Sequence, residues 1–160
     1  MATVSSQTEL SVEVKELPAV DYLGKNLTAP AAAVGKEVSG AFAQLYGAIA
    51  KAGVTPAGPP FLIASEPAGG TMEIEVGAPC MPVPEPDSGL HRGRLEACRA
   101  AVTVHHGTYE AIGPVYSRLF AWLFAHGHKA AGKAREVYLN GPDDVATPDD
   151  YLTELIVPIT

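Results

Sequence analysis

Residues 116–127, YSRLFAWLFAHG, decide how this chain is read, because residues 42–53, FAQLYGAIAKAG, carry the same chemistry at a fixed distance. Tyr116, Leu119, Phe120, Leu123 and Gly127 each stand 74 positions after Phe42, Leu45, Tyr46, Ile49 and Gly53. In both copies the apolar residues recur at spacings of three and four, which draws one helical face, and a glycine stops the helix. Two copies are too few for a solenoid. The chain therefore predicts an α+β fold, a pseudo-twofold duplication of strand-helix-strand-strand units in which two helices pack on one antiparallel sheet with a central cleft.

The flanking segments fit this plan. Residues 1–8, MATVSSQT, are small and polar and read as a loose terminus, and residues 9–160 as a single domain with repeats at about 10–77 and 94–160. Leu10, Val12 and Val14 alternate with Ser11, Glu13 and Lys15, the pattern of a half-buried strand, which DYLGKNL (21–27) continues past a break at Pro18. Thr28 and Pro30 stand where a cap and a first-turn proline start the first helix, followed by Val34, Val38, Phe42, Leu45 and Ile49. GPPFLIAS (58–65) and TMEIEV (71–76) read as strands joined by the turn EPAGG (66–70), and the proline-rich residues 78–93 as a connector. RLEACRAAVTVHHG (94–107) is a strand broken once, TYEAIGPVYSRLFAWLFAHG (108–127) the second helix, and AREVYLN (134–140) and YLTELIVPI (151–159) two more strands. Pro114 would break a hydrogen bond in a helix capped at Thr108, which places the regular start at Pro114.

Two features exceed what packing requires. At about 100° per residue, the apolar side chains of the second helix from Ile112 to Phe124 span an arc of about 200°, twice a normal buried face. The first helix, a homodimer partner, or an aromatic pocket with Trp122 or Phe120 on its rim could cover the excess. In AREVYLN, period-two alternation puts Arg135, Val137 and Leu139 on one face and Glu136, Tyr138 and Asn140 on the other, so an acid and a phenol share a face. The position aligned with Glu136 in the first repeat is Leu62, so only one half supplies a charge there.

Composition narrows the function. A net charge of −7 and the absence of a basic stripe argue against nucleic acid. No apolar run or signal-like start argues for a membrane or export, and two cysteines, Cys80 and Cys98, fit reduced thiols in the cytoplasm. His105 and His106 point to opposite faces of a strand, and His126 and His128 straddle a helix-ending glycine. No carboxylate or cysteine completes a ligand set, so no metal is expected. GPDDVATPDD (141–150) lacks the closing glutamate of a calcium loop and reads as a solvated loop. No serine elbow or Cys–His pair suggests covalent catalysis.

The ordered series HHGTYEAIGPVYSRLFAWLFAHG, REVYLNGPDD and YLTELIVPI resembles the GyrI-like family, small-molecule-binding domains found alone or as effector-binding domains of AraC-type and MerR-type regulators. The resemblance extends over residues 10–160 and implies a cleft at the pseudo-twofold axis for flat, lipophilic, often cationic molecules, with no cofactor. It places the pocket acid of the E-x-Y strand at Glu136 beside Tyr138, the T-E-x-x-x-P strand at Glu154 with Ile156 two residues on, and the helix aromatic at Trp122. The repeat adds Tyr46 and Phe61 as wall candidates from the first half. No helix-turn-helix module precedes the domain, so a stand-alone multidrug-binding role, by sequestration or sensing, is expected before transcriptional control. Two alternatives come with the family. One is a hydrolase that opens the cyclopropane ring of DNA-alkylating natural products with Glu136 as base and Tyr138 as hydrogen-bond donor; the other is a gyrase-inhibitor-like module that docks a protein on the aromatic helix face.

Overall fold

The computed structural model describes residues 10–64, 70–87 and 89–160. Its strands are β1 (Glu13–Leu17), β2 (Val20–Pro30), β3 (Phe61–Ala64), β4 (Thr71–Pro79), β5 (His91–Leu95), β6 (Cys98–His106), β7 (Arg135–Tyr138) and β8 (Leu152–Pro158); its helices are α1 (Val34–Lys51) and α2 (Ile112–Ala125). The strands form one antiparallel sheet in the order β1-β6-β8-β7-β3-β4-β2-β5. Read outward from the centre, β7 answers β3, β8 answers β4, β6 answers β2 and β1 answers β5. The pairing of β3 with β7 sets Leu62 directly opposite Glu136, its counterpart in the repeat, so the pseudo-twofold axis passes between these two residues.

Both helices lie on one face. Leu45 and Ile49 of α1 bury against Leu23, Leu62, Ile74 and Val76, while Leu119 and Leu123 of α2 bury against Ala101, Leu155 and Val157. The α2 core residues Ile112, Val115, Leu119 and Leu123 follow the helical period, and Gly53 and Gly127 adopt positive φ just beyond the two helices, where a side chain would be strained. Among the described residues no helix covers the opposite face, yet Tyr22, Phe61, Val102 and Ile156 are buried there, because the sheet curls into a half-barrel. Gly77 and Gly93 make this possible. A Cβ on either would overlap the Tyr22 ring, which packs edge-on against Phe61 with ring centroids 4.8 Å apart.

Several expectations change. The break at Pro18 is where it was expected, between β1 and β2, but the two strands lie far apart in the sheet: β1 pairs with β6 of the second half, and β5 pairs with β2 of the first. The sequence repeats thus exchange their leading strands in space. Leu10, Val12 and Val14 accordingly pack on the α2 core. Thr28 and Pro30 are not a helix start. They end β2, paired with Glu73 and Thr71, and a 3-10 turn at Ala31–Ala33 precedes α1. The second helix begins at Ile112, and Pro114 sits in its first turn, where a missing N–H costs no bond. The break in the 94–107 strand falls at Glu96 and Ala97, the connector is shorter than expected, and the turn at 66–70 and the terminus at 1–8 lie outside the described residues except for Gly70.

Candidate ligand-binding site

The site follows from the alternation in β7. Its register with β3 and β8 turns Glu136 toward the helices, where Leu62 and Leu155 flank it on the neighbouring strands. Tyr138, two residues on, points the same way and donates a hydrogen bond from its hydroxyl to Glu136 Oε1 at 2.8 Å. Tyr116 of α2 supplies a second phenolic hydrogen bond to the same carboxylate. Burial raises the Glu136 carboxyl above its usual range; the hydrogen bonds from Tyr138 and Tyr116 and the nearby His105 pull it down without cancelling the effect. Burial, and then the adjacent acid, push Tyr138 and Tyr116 upward, so both phenols remain donors.

Around this acid the helix-facing side of the sheet opens into a cleft of about 390 Å³, lined by Leu62 and Ala64 of β3, Tyr116 and Phe120 of α2, Glu136, and the 132–134 segment with Lys133. This is within the usual size of a small-molecule pocket. At the Tyr138 end, Phe42 of α1 and Tyr109 meet the Tyr138 ring edge-on at 6.0 and 5.5 Å, and Tyr151 stacks on Tyr109 at 4.6 Å. His105 donates from Nε2 to the Thr108 carbonyl at 2.8 Å. Beside it, the hydroxyl of fully buried Thr153 has no partner among the described residues. The arrangement offers one acid, two phenols and a wall of rings. Such a set can accept a cation or orient a polar group on a flat molecule.

The structure brings together Glu136, Tyr138 and Phe120. It places the others elsewhere in the fold. Glu154 and Ile156 alternate to the helix-free face, since Thr153, Leu155 and Val157 take the α2 side. Phe61 lies on that far face beneath Tyr22. Trp122 stacks on His126 at 4.0 Å and His128 at 5.8 Å at the end of α2, away from the cleft lining. Tyr46 packs into the α1 core, where burial, and then the nearby Cys80, push its hydroxyl up to about 12. The wide apolar arc of α2 is covered only in part: Phe120 borders the cleft, whereas Phe124 is 88% exposed. Tyr116 and Phe42 were missed as site residues although the repeat pairs them. Their twinned positions beside the axis were the available signal.

A larger groove, about 640 Å³, opens on the helix-free face and contains neither Glu136 nor the tyrosines. Among the described residues no group of histidine, cysteine and carboxylate side chains could hold a metal ion, and no helix is long and apolar enough to cross a membrane.

Comparison with known proteins agrees with this architecture. The model of the GyrI-like small molecule binding domain matches residues 10–160, and the chain belongs to that family. No curated protein matches its sequence. Among solved structures, the EcmrR C-terminal domain superposes with a TM-score of 0.78 at 17% identity, covering 94% of this chain and 98% of that one. In the EcmrR–DNA complex the TM-score is 0.84 at 18% identity; 99% of this chain is covered, and it spans only 62% of the EcmrR chain. A hydrolase from Listeria innocua gives 0.67 at 14% identity, over 99% of this chain and 98% of that one. SAV2435 bound to tetraphenylphosphonium gives 0.60 at 12% identity, over 94% of each. At these identities the likeness is one of fold.

Proposed function

We propose that this chain binds flat, lipophilic cations in the cleft beside α2, with Glu136 as counter-charge and Tyr116, Phe120 and Tyr138 as ring contacts, and that it does so in the cytoplasm as a sequestering or sensing protein. The observation that carries this reading is the half-buried acid on the pseudo-twofold axis, held by two phenols and bordered by aromatic rings. A carboxylate in such a place loses solvation or takes up a proton, and an entering cation restores the charge pairing. Each ring adds cation attraction of roughly 0.5–2 kcal/mol without strict geometric demands, which suits a site of broad selectivity. The tetraphenylphosphonium bound to SAV2435 shares the positive charge and the aromatic rings of this class, though its four rings are arranged tetrahedrally. Titration with tetraphenylphosphonium is expected to saturate, and Glu136→Gln to weaken it by at least about tenfold. No saturable binding, or equal affinity in the two proteins, would sink the role of Glu136.

A second reading rests on the hydrogen bond from Tyr138 to Glu136 and on the hydrolase among the structural neighbours. The Glu136 carboxylate could take a proton from water as it forms a C–O bond at a cyclopropane carbon, while a phenol that stays protonated donates to the conjugated carbonyl oxygen that receives the electrons of the broken ring C–C bond. Incubation with a cyclopropane-bearing alkylating compound separates the readings: turnover supports hydrolysis, and a stoichiometric complex rejects it.

A further inference from the structure

Arg135, the residue before Glu136, faces the other side of the sheet and is only 7% exposed. Its strand neighbours on that face are Ile63 and Ile156. Its Nη2 donates to Cys98 Sγ at 3.7 Å, a weak acceptor, and its Nε has no partner among the described residues. Among the described ion pairs no carboxylate lies within 4.0 Å of it. A guanidinium cannot shed its charge, so an uncompensated one in an apolar setting is costly. The side chain lines the 640 Å³ groove of the helix-free face, and Glu73 and Glu75 of β4 line the same groove. Tyr22 and His91 hold Glu75 Oε2 at 2.6 and 2.7 Å, which fixes that acid in place. Arg135 and Glu75 both pair with Ile63 and so stand two strands apart, about 10 Å.

We propose that this groove is a second binding site, for a small zwitterion whose carboxylate meets Arg135 and whose ammonium group reaches Glu73 and Glu75. An anion alone would answer Arg135 but not the exposed carboxylate of Glu73 in the same groove, and a cation alone would face the uncompensated guanidinium of Arg135. A molecule with both signs separated by a short chain satisfies both ends. β7 alternation puts Arg135 and Glu136 on opposite faces, so the groove and the cleft meet only at Gly132 and Lys133, which line both.

The test uses 6-aminohexanoate as probe, with hexanoate and hexylamine for comparison, followed through the Ile63 methyl resonances of the whole chain. Saturable shifts are expected with 6-aminohexanoate at lower concentration than with either single-charge analogue. Arg135→Gln should weaken that binding by at least about tenfold, while Glu136→Gln leaves it unchanged. Glu73 is exposed, so Glu73→Gln leaves the interior intact; it should weaken 6-aminohexanoate several-fold and leave hexanoate unchanged. Absence of saturation, tighter binding of hexylamine, or affinity for 6-aminohexanoate unaltered by Glu73→Gln overturns the proposal.

Discussion

Glu136 makes the protein's behaviour depend on pH in a stated direction. Burial raises its carboxyl above the ordinary 4.5, so the native state keeps a proton that the unfolded chain has released. That contribution is fully present below the unfolded value and is lost as the pH rises through the folded one. The melting temperature of Glu136→Gln relative to the native protein should therefore climb as the pH rises above about 4.5, and a constant difference would contradict the raised carboxyl. Cation affinity should move the opposite way to native stability, rising with pH as the carboxylate ionises. Tyr138→Phe removes one of two donors to Glu136 and should cost about 1–3 kcal/mol of stability above that transition, read from denaturant unfolding. The acid was legible in the sequence because an E-x-Y alternation in an apolar strand calls for a reason. Its two partners were not equally legible. Tyr138 shares its strand, whereas Tyr116 arrives from a helix that only the packed fold brings near.

At the scale of elements, periodicity was the strongest guide. Leu45, Ile49, Leu119 and Leu123 bury as their spacing requires, since a helix on a sheet has one side to hide. Truncating Leu119, which is fully buried, to alanine should cost about 2–5 kcal/mol, whereas Phe124→Ser, at an exposed position, should stay within about 0.5 kcal/mol; urea melts of both variants check this. Boundaries were less legible where two signals competed. Thr28 and Pro30 look like a helix start, but their ladder with β4 holds them in the strand. For Glu154 the alternation was visible, and what sequence could not supply was which face the cleft occupies. Gly93 gave no sign of its role, because the space above it belongs to Tyr22 from a strand more than seventy positions earlier. Gly93→Ala should displace that ring from Glu75 and destabilise by about 1–3 kcal/mol, seen as a lowered melting temperature.

The whole molecule differs from its sequence repeats by the exchange of β1 and β5. Each half borrows its outermost strand from the other, so neither repeat is a complete folding unit. Deleting residues through Leu17 should expose β6 as an edge, weaken the α2 half first and promote self-association detectable by light scattering. The two halves meet at Leu62 and Glu136, and that meeting place has a consequence of parity. In an assembly of two identical copies, any residue on the axis occurs twice, so the centre would hold either two leucines or two acids sharing one proton. Joining unlike halves in one chain lifts this restriction and allows an odd number of charges at the point of symmetry. A ligand bound there is offered one counter-charge and must choose a single orientation relative to the two halves, even though the scaffold around it is nearly indifferent to which way it lies.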